Sequence, residues 1–191
     1  MRPPLLPPRP APSFPPISLP LDDERTVGVL TAADIAALTE AMTDPELRRW
    51  LPVPHPYTRD HAMSWVATSE ELRRSGRGLV LAVREAERLV AGIDAKRVDW
   101  RARTLELSYW TAPGHRGRGI MAAAVRTVAE ALMRDLGFER IELRIAPENA
   151  ASLRTAARAG FLREGIARNA GFTDAGRVDL VTHSLIPADV A

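Results

Sequence analysis

Between residues 104 and 136 the sequence changes its period, and the point of change restricts what the chain can fold into. Over 104–110, Leu105, Leu107 and Tyr109 alternate with Glu106, Ser108 and Trp110, the two-residue repeat of a strand. A turn follows over 111–119, with glycines at 114, 117 and 119. Beyond it Ile120, Ala124, Val128, Leu132 and Leu136 recur every fourth residue and make one apolar helical stripe. Strand, glycine turn and helix in that order gather unpaired amides at one place, because the first turn of a helix has no internal partner for its N–H groups. Gly117 and Gly119 permit close approach and unusual backbone angles. Arg116 and Arg118 bring guanidinium forks beside them. Such a place suits a phosphate or diphosphate; a loop that merely turns the chain is the other reading of paired glycines.

The run Arg116, Gly117, Arg118, Gly119, Ile120, Met121 resembles the acyl-coenzyme A loop of the GCN5-related N-acetyltransferases. That loop has Arg or Gln, two residues, Gly, one residue, then Gly or Ala. Arg116 and Gly119 fit it, while Met121 stands where a small residue is usual. Glu106, Ser108, Tyr109 and Trp110, with Asn149 and Ser152, narrow the resemblance toward the RimJ/RimL-like branch, which includes ribosomal-protein N-terminal alanine acetyltransferases. The resemblance covers nearly everything after Ser18. It implies an α/β (α+β) fold: a single domain over 18–188 with a mixed, mostly antiparallel central sheet of about seven strands flanked by helices. It also implies acetyl-CoA as cosubstrate without a metal, and a homodimer.

A chain of 191 residues suffices for one domain with a substantial core, and two would be cramped. The absence of cysteine excludes disulfides, thiolate catalysis and cysteine metal clusters. The 26 basic residues, of which only Lys96 is a lysine, face 24 acids, a near-balance that argues against a nucleic-acid surface. Charges interrupt every candidate membrane span, so no membrane partner is expected and the protein reads as cytoplasmic. Nine of the 16 prolines fall within the first 20 residues, which makes 1–17 a flexible or loosely laid segment. They also break up any signal-peptide core.

In chain order, 18–30 reads as a first strand interrupted by charges. Thr31 with Asp34 forms a capping box that opens a helix through Ile35, Leu38 and Met42. Thr58 caps a second helix that ends near Gly76. Three sequential strands, 79–83, 89–98 and 105–109, make an antiparallel meander, and a strand over 141–145 lies parallel to the last of them. A short helix follows Asn149, and strands over 161–168 and 178–185 close the chain around a loop over 169–176.

The resemblance assigns roles by residue. Trp110, Thr111, Arg116, Gly117, Arg118, Gly119, Ile120, Met121, Asn149 and Ser152 are cofactor-binding candidates. Glu106 and Ser152 are the catalytic candidates: Glu106 as base or ammonium anchor, and Ser152 as the hydroxyl that meets the departing thiolate. Trp50, Tyr57, Trp65, Glu106, Tyr109 and Trp110 are candidates for the acceptor wall, though packing is the ordinary fate of such aromatics. Alternation sends Tyr109 and Trp110 to opposite sides, with Trp110 on the side of Glu106. No tyrosine is available in the helix after Asn149 to stand in for Ser152. His115, His183 and Asp179 are weaker candidates, and His55 and His61 lack metal-ligand spacing. The implied activity is acetyl transfer to a primary amine through a tetrahedral intermediate. The acceptor is a protein or peptide N-terminus or a small molecule; a non-catalytic acyl-CoA sensor is the alternative.

Overall fold

The computed structural model describes residues 13–173 and 176–190. Eight strands form one sheet in the spatial order β1-β2-β3-β4-β5-β6-β8-β7. They are β1 Ser18–Pro20, β2 Arg25–Val29, β3 Leu79–Glu85, β4 Arg88–Asp99, β5 Thr104–Thr111, β6 Arg140–Ile145, β7 Leu162–Thr173 and β8 Gly176–Leu185. All neighbours are antiparallel except β5 and β6. The helices are α1 Ile35–Ala41, α2 Pro45–Trp50, α3 Arg59–Arg74, α4 Ile120–Leu136 and α5 Ala150–Arg158.

The eighth strand arises from the charged interruption noted in the sequence. The carboxylate of Asp22 accepts hydrogen bonds from the amides of Glu24 and Arg25 at 3.1 and 2.9 Å, so 18–30 bends into a hairpin and gives two strands. The closing pair is also longer than expected. Past a register shift between Ala167 and Gly171, Gly171, Phe172 and Thr173 pair with Val178, Arg177 and Gly176, so the ladder runs on through much of the stretch expected as a loop. Both helix caps form as read: in the capping box Thr31 N–H donates to Asp34 at 2.8 Å, and the Thr58 hydroxyl accepts from His61 N–H at 3.4 Å.

Strand alternation divides the core between two faces. Leu79, Leu81 and Val83 face α4, whose stripe of Ile120, Ala124, Val128 and Leu132 is buried. Val80 and Ala82 face the other way, toward Leu38 of α1 and Ala62 of α3, and Trp110 joins them. Gly137 ends α4 in the left-handed conformation, with φ of 67°.

The proline-rich segment up to residue 12 lies outside the described residues. Further along it, Phe14 is fully buried and its ring lies 5.0 Å from Trp100 and 6.2 Å from Phe138. Its amide donates to Arg73 O at 3.0 Å, and Arg73 Nη1 returns a hydrogen bond to Phe14 O at 2.7 Å. We propose the domain as 18–188, with the stretch from Phe14 strapped onto it.

The parallel ladder fixes the site. β5 and β6 pair from Thr104 with Arg140 to Leu107 with Leu143 and then part, although β5 runs on to Thr111 and β6 to Ile145. From Ser108 onward the β6 side of β5 has no ladder partner, and the sheet opens there.

Candidate active site

Two cavities meet at this opening. The smaller cleft, about 360 Å³, is lined by the turn before α4 and the start of that helix, all of 115–122 but residue 118, and by one face of α5. Gly117 and Gly119 carry φ of 75° and 79°, and a Cβ on either would meet nothing within 4 Å. Their requirement is therefore conformational and not steric. Gly119 precedes the first turn of α4, so that turn's unpaired N–H groups open toward the cleft. Met121 is buried with its side chain in the α4 core, which leaves its backbone at the cleft.

The two arginines of the turn are not equivalent. Arg116 lines the cleft, pairs with Asp44 at the start of α2, and donates from Nε to Thr111 O at 3.1 Å. Burial opposes the charge on Asp44, but Arg116 and the amides of Leu47 and Glu46 together hold its carboxyl below the usual range. Arg118 turns to Glu85, 2.9 Å away, and is not among the residues lining the cleft. Sequence reading missed Arg154 and Arg158. Both line the cleft from α5, exposed and without an ion pair among the described residues. The spacing of Ala151, Arg154, Thr155 and Arg158 along one helical face carried that signal.

At the junction stand Trp50, Leu51, Tyr109, Trp110, Asn149 and Ser152, which line both cavities. Asn149 caps α5, its Oδ1 accepting from Ser152 N–H at 3.0 Å. Ser152 Oγ donates to Tyr109 Oη at 3.0 Å, and Tyr109 donates onward to Ser152 O, also at 3.0 Å. The helix lacks a tyrosine, but β5 supplies one. Burial lifts the Tyr109 phenol to about 12, with the Ser152 hydrogen bond pulling the other way, so it keeps its proton at neutral pH. The Trp110 indole packs against Gly92 of β4, where a Cβ would sit 2.4 Å from the indole nitrogen.

The larger chamber, about 750 Å³, lies on the α1/α3 side. Trp50, Tyr57, Trp65, Glu106, Tyr109 and Trp110 all line it, along with His61 and the β7–β8 hairpin residues Gly171, Phe172 and Arg177. The hairpin was not foreseen, because its nearness to β5 follows only from the sheet order. Glu106 is buried and shared by three cations: Lys96 Nζ at 3.2 Å, Arg97 Nε at 3.2 Å and Arg144 Nη1 at 3.8 Å.

Asp94 is the second carboxylate of the chamber, and sequence reading missed it. It lies on β4, opposite Ser108 of β5. Among the described residues it has no hydrogen bond or ion pair, and burial raises its carboxyl to about 6 despite the nearby charge of Lys96. A lone aspartate in the otherwise apolar run 89–95 was the available signal. His115 sits in the smaller cleft, 3.7 Å from Glu85. His183 and Asp179 line neither cavity; Asp179 accepts from Asn169 N–H at 2.7 Å.

Comparison with known proteins agrees with this geometry. Residues 27–162 match the family model described as Acetyltransferase (GNAT) domain. YjcK of Bacillus subtilis (strain 168), named as a probable N-acetyltransferase, is 42% identical over 65 residues, 34% of this chain and 36% of that protein. The N-acetyltransferase p20 of Bacillus licheniformis is 22% identical over 87% of this chain and 94% of its own length. Mycobacterium smegmatis RimJ, solved in complex with CoA-disulfide, superposes with a TM-score of 0.82 at 21% identity, covering 94% of this chain and 90% of that one. Among the described residues no helix is long and apolar enough to cross a membrane. With a parted parallel strand pair, a glycine turn feeding α4 and a matched family model over most of its length, the chain belongs to the GNAT acetyltransferases.

Proposed function

We propose that the protein moves an acetyl group from acetyl-CoA to the amine of a protein or peptide N-terminus. The observation that carries this reading is the junction itself, where a cleft suited to a diphosphate and a chamber suited to an amine share Tyr109, Trp110 and Ser152. The residues fit coenzyme A. Unpaired amides of the first α4 turn and the cationic Arg116, Arg154 and Arg158 suit its phosphates. The free edge of β5 from Ser108 to Thr111 and the Asn149 amide suit the amides of its pantetheine arm.

Bound there, acetyl-CoA supplies an electrophilic thioester carbonyl and a sulfur leaving group. The chain must deliver an uncharged amine and meet the thiolate with a donor. A carboxylate of the acceptor chamber, Glu106 or Asp94, takes the proton of the arriving ammonium directly or through water. Ser152 swings its hydroxyl from Tyr109 to the sulfur, and the Tyr109 phenol, protonated at neutral pH, stands ready to resupply it. Likeness to the solved RimL, a ribosomal L7/L12 alpha-N-protein acetyltransferase, supports an N-terminal acceptor, and the aromatic wall of Trp50, Tyr57 and Trp65 supports a chain entering from the α3 side.

A small-molecule amine is the second reading, favoured by the enclosing β7–β8 hairpin. Met121, which replaces the usual small residue of the loop, keeps its side chain in the core and so lends no support to the non-catalytic sensor reading. Mass spectrometry of products from acetyl-CoA with mixed peptides and small amines tests the proposal. One acetyl added to peptide N-termini is the expected result, and acetylation confined to small amines would replace this reading with the second.

A further inference from the structure

Resting on the transferase reading, the geometry points to an acidic acceptor: a peptide N-terminus whose second residue carries a carboxylate. The charge around the chamber is lopsided. Lys96 and Arg97 of β4, Arg144 of β6 and Arg177 of β8 all line it, and among the described residues only Asp94 and Glu106 oppose them. Glu106 alone serves three of the four cations. Among the described residues Arg177 bonds only neutral oxygens of Asn169, with Nε to Oδ1 at 3.1 Å and Nη2 to O at 2.7 Å. The wall therefore carries more positive charge than its own carboxylates neutralise. Nothing in the packing requires the excess, since the side chains of Lys96 and Arg97 are 49% and 65% exposed.

Position along the strands turns this excess into an orientation. Asp94 and Ser108 form the rung beside the opening where β5 and β6 part, and Lys96 and Glu106 form the next rung of the same face. The two rungs are about 7 Å apart. Asp94, free of ion pairs, suits an ammonium or the amine it becomes; Lys96 and Arg97 suit an anion one rung further from the thioester. An extended peptide spans a similar distance, roughly 6–7 Å, from its terminal nitrogen to the carboxylate of its second side chain. The amine thus lies at the opening while the acidic side chain meets the cations. A lysine in second place meets like charge, and a neutral side chain gains nothing from the wall.

Three matched octapeptides that differ only in their second residue, Asp, Asn or Lys, test this with acetyl-CoA and the full chain. We expect kcat/KM for the Asp peptide to exceed that for the Asn peptide by roughly tenfold at low salt, with the Lys peptide lowest, and the gap to narrow as salt rises. Arg97→Glu should shrink or reverse the order while leaving the affinity for coenzyme A within about twofold, because Arg97 does not line the donor cleft. Equal rates for the Asp and Asn peptides would overturn the acidic acceptor and leave the transferase reading intact. Failure of every peptide and small amine to gain an acetyl group, with coenzyme A bound, would overturn both.

Discussion

The donor cleft and the acceptor chamber share six residues but are built by different means. The cleft takes its largest share from one continuous segment, 111–122, with α2, β5 and α5 completing it, and much of what that segment offers is backbone: amides at a helix start and a free strand edge. The chamber draws side chains from α1, α3, β4, β5, β6 and the β7–β8 hairpin, and its character lies in Asp94, Glu106 and their cations. A backbone site tolerates change in the residues around it, so it suits a ligand common to a whole family. A side-chain site alters with each substitution, so it is where this chain acquires its own acceptor.

The contrast breaks most easily at Asp94. Asp94→Asn should lower kcat/KM by roughly 10²- to 10³-fold with little change in coenzyme A affinity. Glu106→Gln should cost less and act mainly on the acceptor KM; the opposite ranking would return the base to Glu106. In wild type, kcat/KM should rise with pH through about 6 as Asp94 loses its proton, and Asp94→Asn should lose that limb. The other titratable groups lining the chamber are Lys96 and Arg97 of its own strand, Glu106 and Tyr109 of β5, Arg144 of β6, Arg177 of β8, and Tyr57 and His61 on the α3 side. Stability should move oppositely. The folded-state pKa of Asp94 lies above its unfolded value near 3.9, so the native state holds the proton more tightly between the two. That advantage is complete below pH 4 and is lost as pH climbs through 6. At pH 8 the wild type bears a desolvated charge that asparagine lacks, and the variant should unfold at higher temperature, by up to about 3 kcal/mol of added stability.

Next in size is the junction. Ser152→Ala should reduce kcat by roughly 10- to 100-fold without weakening coenzyme A binding, and Tyr109→Phe should do so to a lesser degree. Unchanged kcat in both would remove the thiolate role. In the cleft, Arg154→Ala or Arg158→Ala should raise the KM for acetyl-CoA by roughly tenfold, with acceptor KM unaffected, if each meets a phosphate. The smallest effect belongs to Asp44→Asn. Asparagine keeps the α2 cap but drops the charge that competes for Arg116, so donor KM should fall about two- to threefold; a rise would show that Asp44 positions Arg116 instead.

How legible each region was in the sequence follows from the same contrast. The turn before α4 could be read outright, since strand period, glycines and helix period lie side by side over 104–136. Residues 18–30 were read as one strand because an Asx turn at Asp22 resembles a charged interruption until its hydrogen bonds are seen. Ser152 and Asn149 were picked out by the family resemblance, whereas the Tyr109 to Ser152 hydrogen bond joins residues 43 apart in the sequence and depends on how α5 docks. Glu106 was visible on the polar side of its strand, but its three cations come from β4 and β6 and only the folded sheet assembles them. Asp94 escaped notice for a physical reason: an aspartate in a strand reads as solvent-facing until the opposing helices are in place.

A crystal structure with coenzyme A and an Asp-second peptide tests the central claim most directly. The account predicts the diphosphate on the amides of the first α4 turn, the sulfur within hydrogen-bond reach of Ser152 Oγ, and the peptide amine beside Asp94. A sulfur directed away from the junction, or a peptide amine outside the chamber, would contradict it.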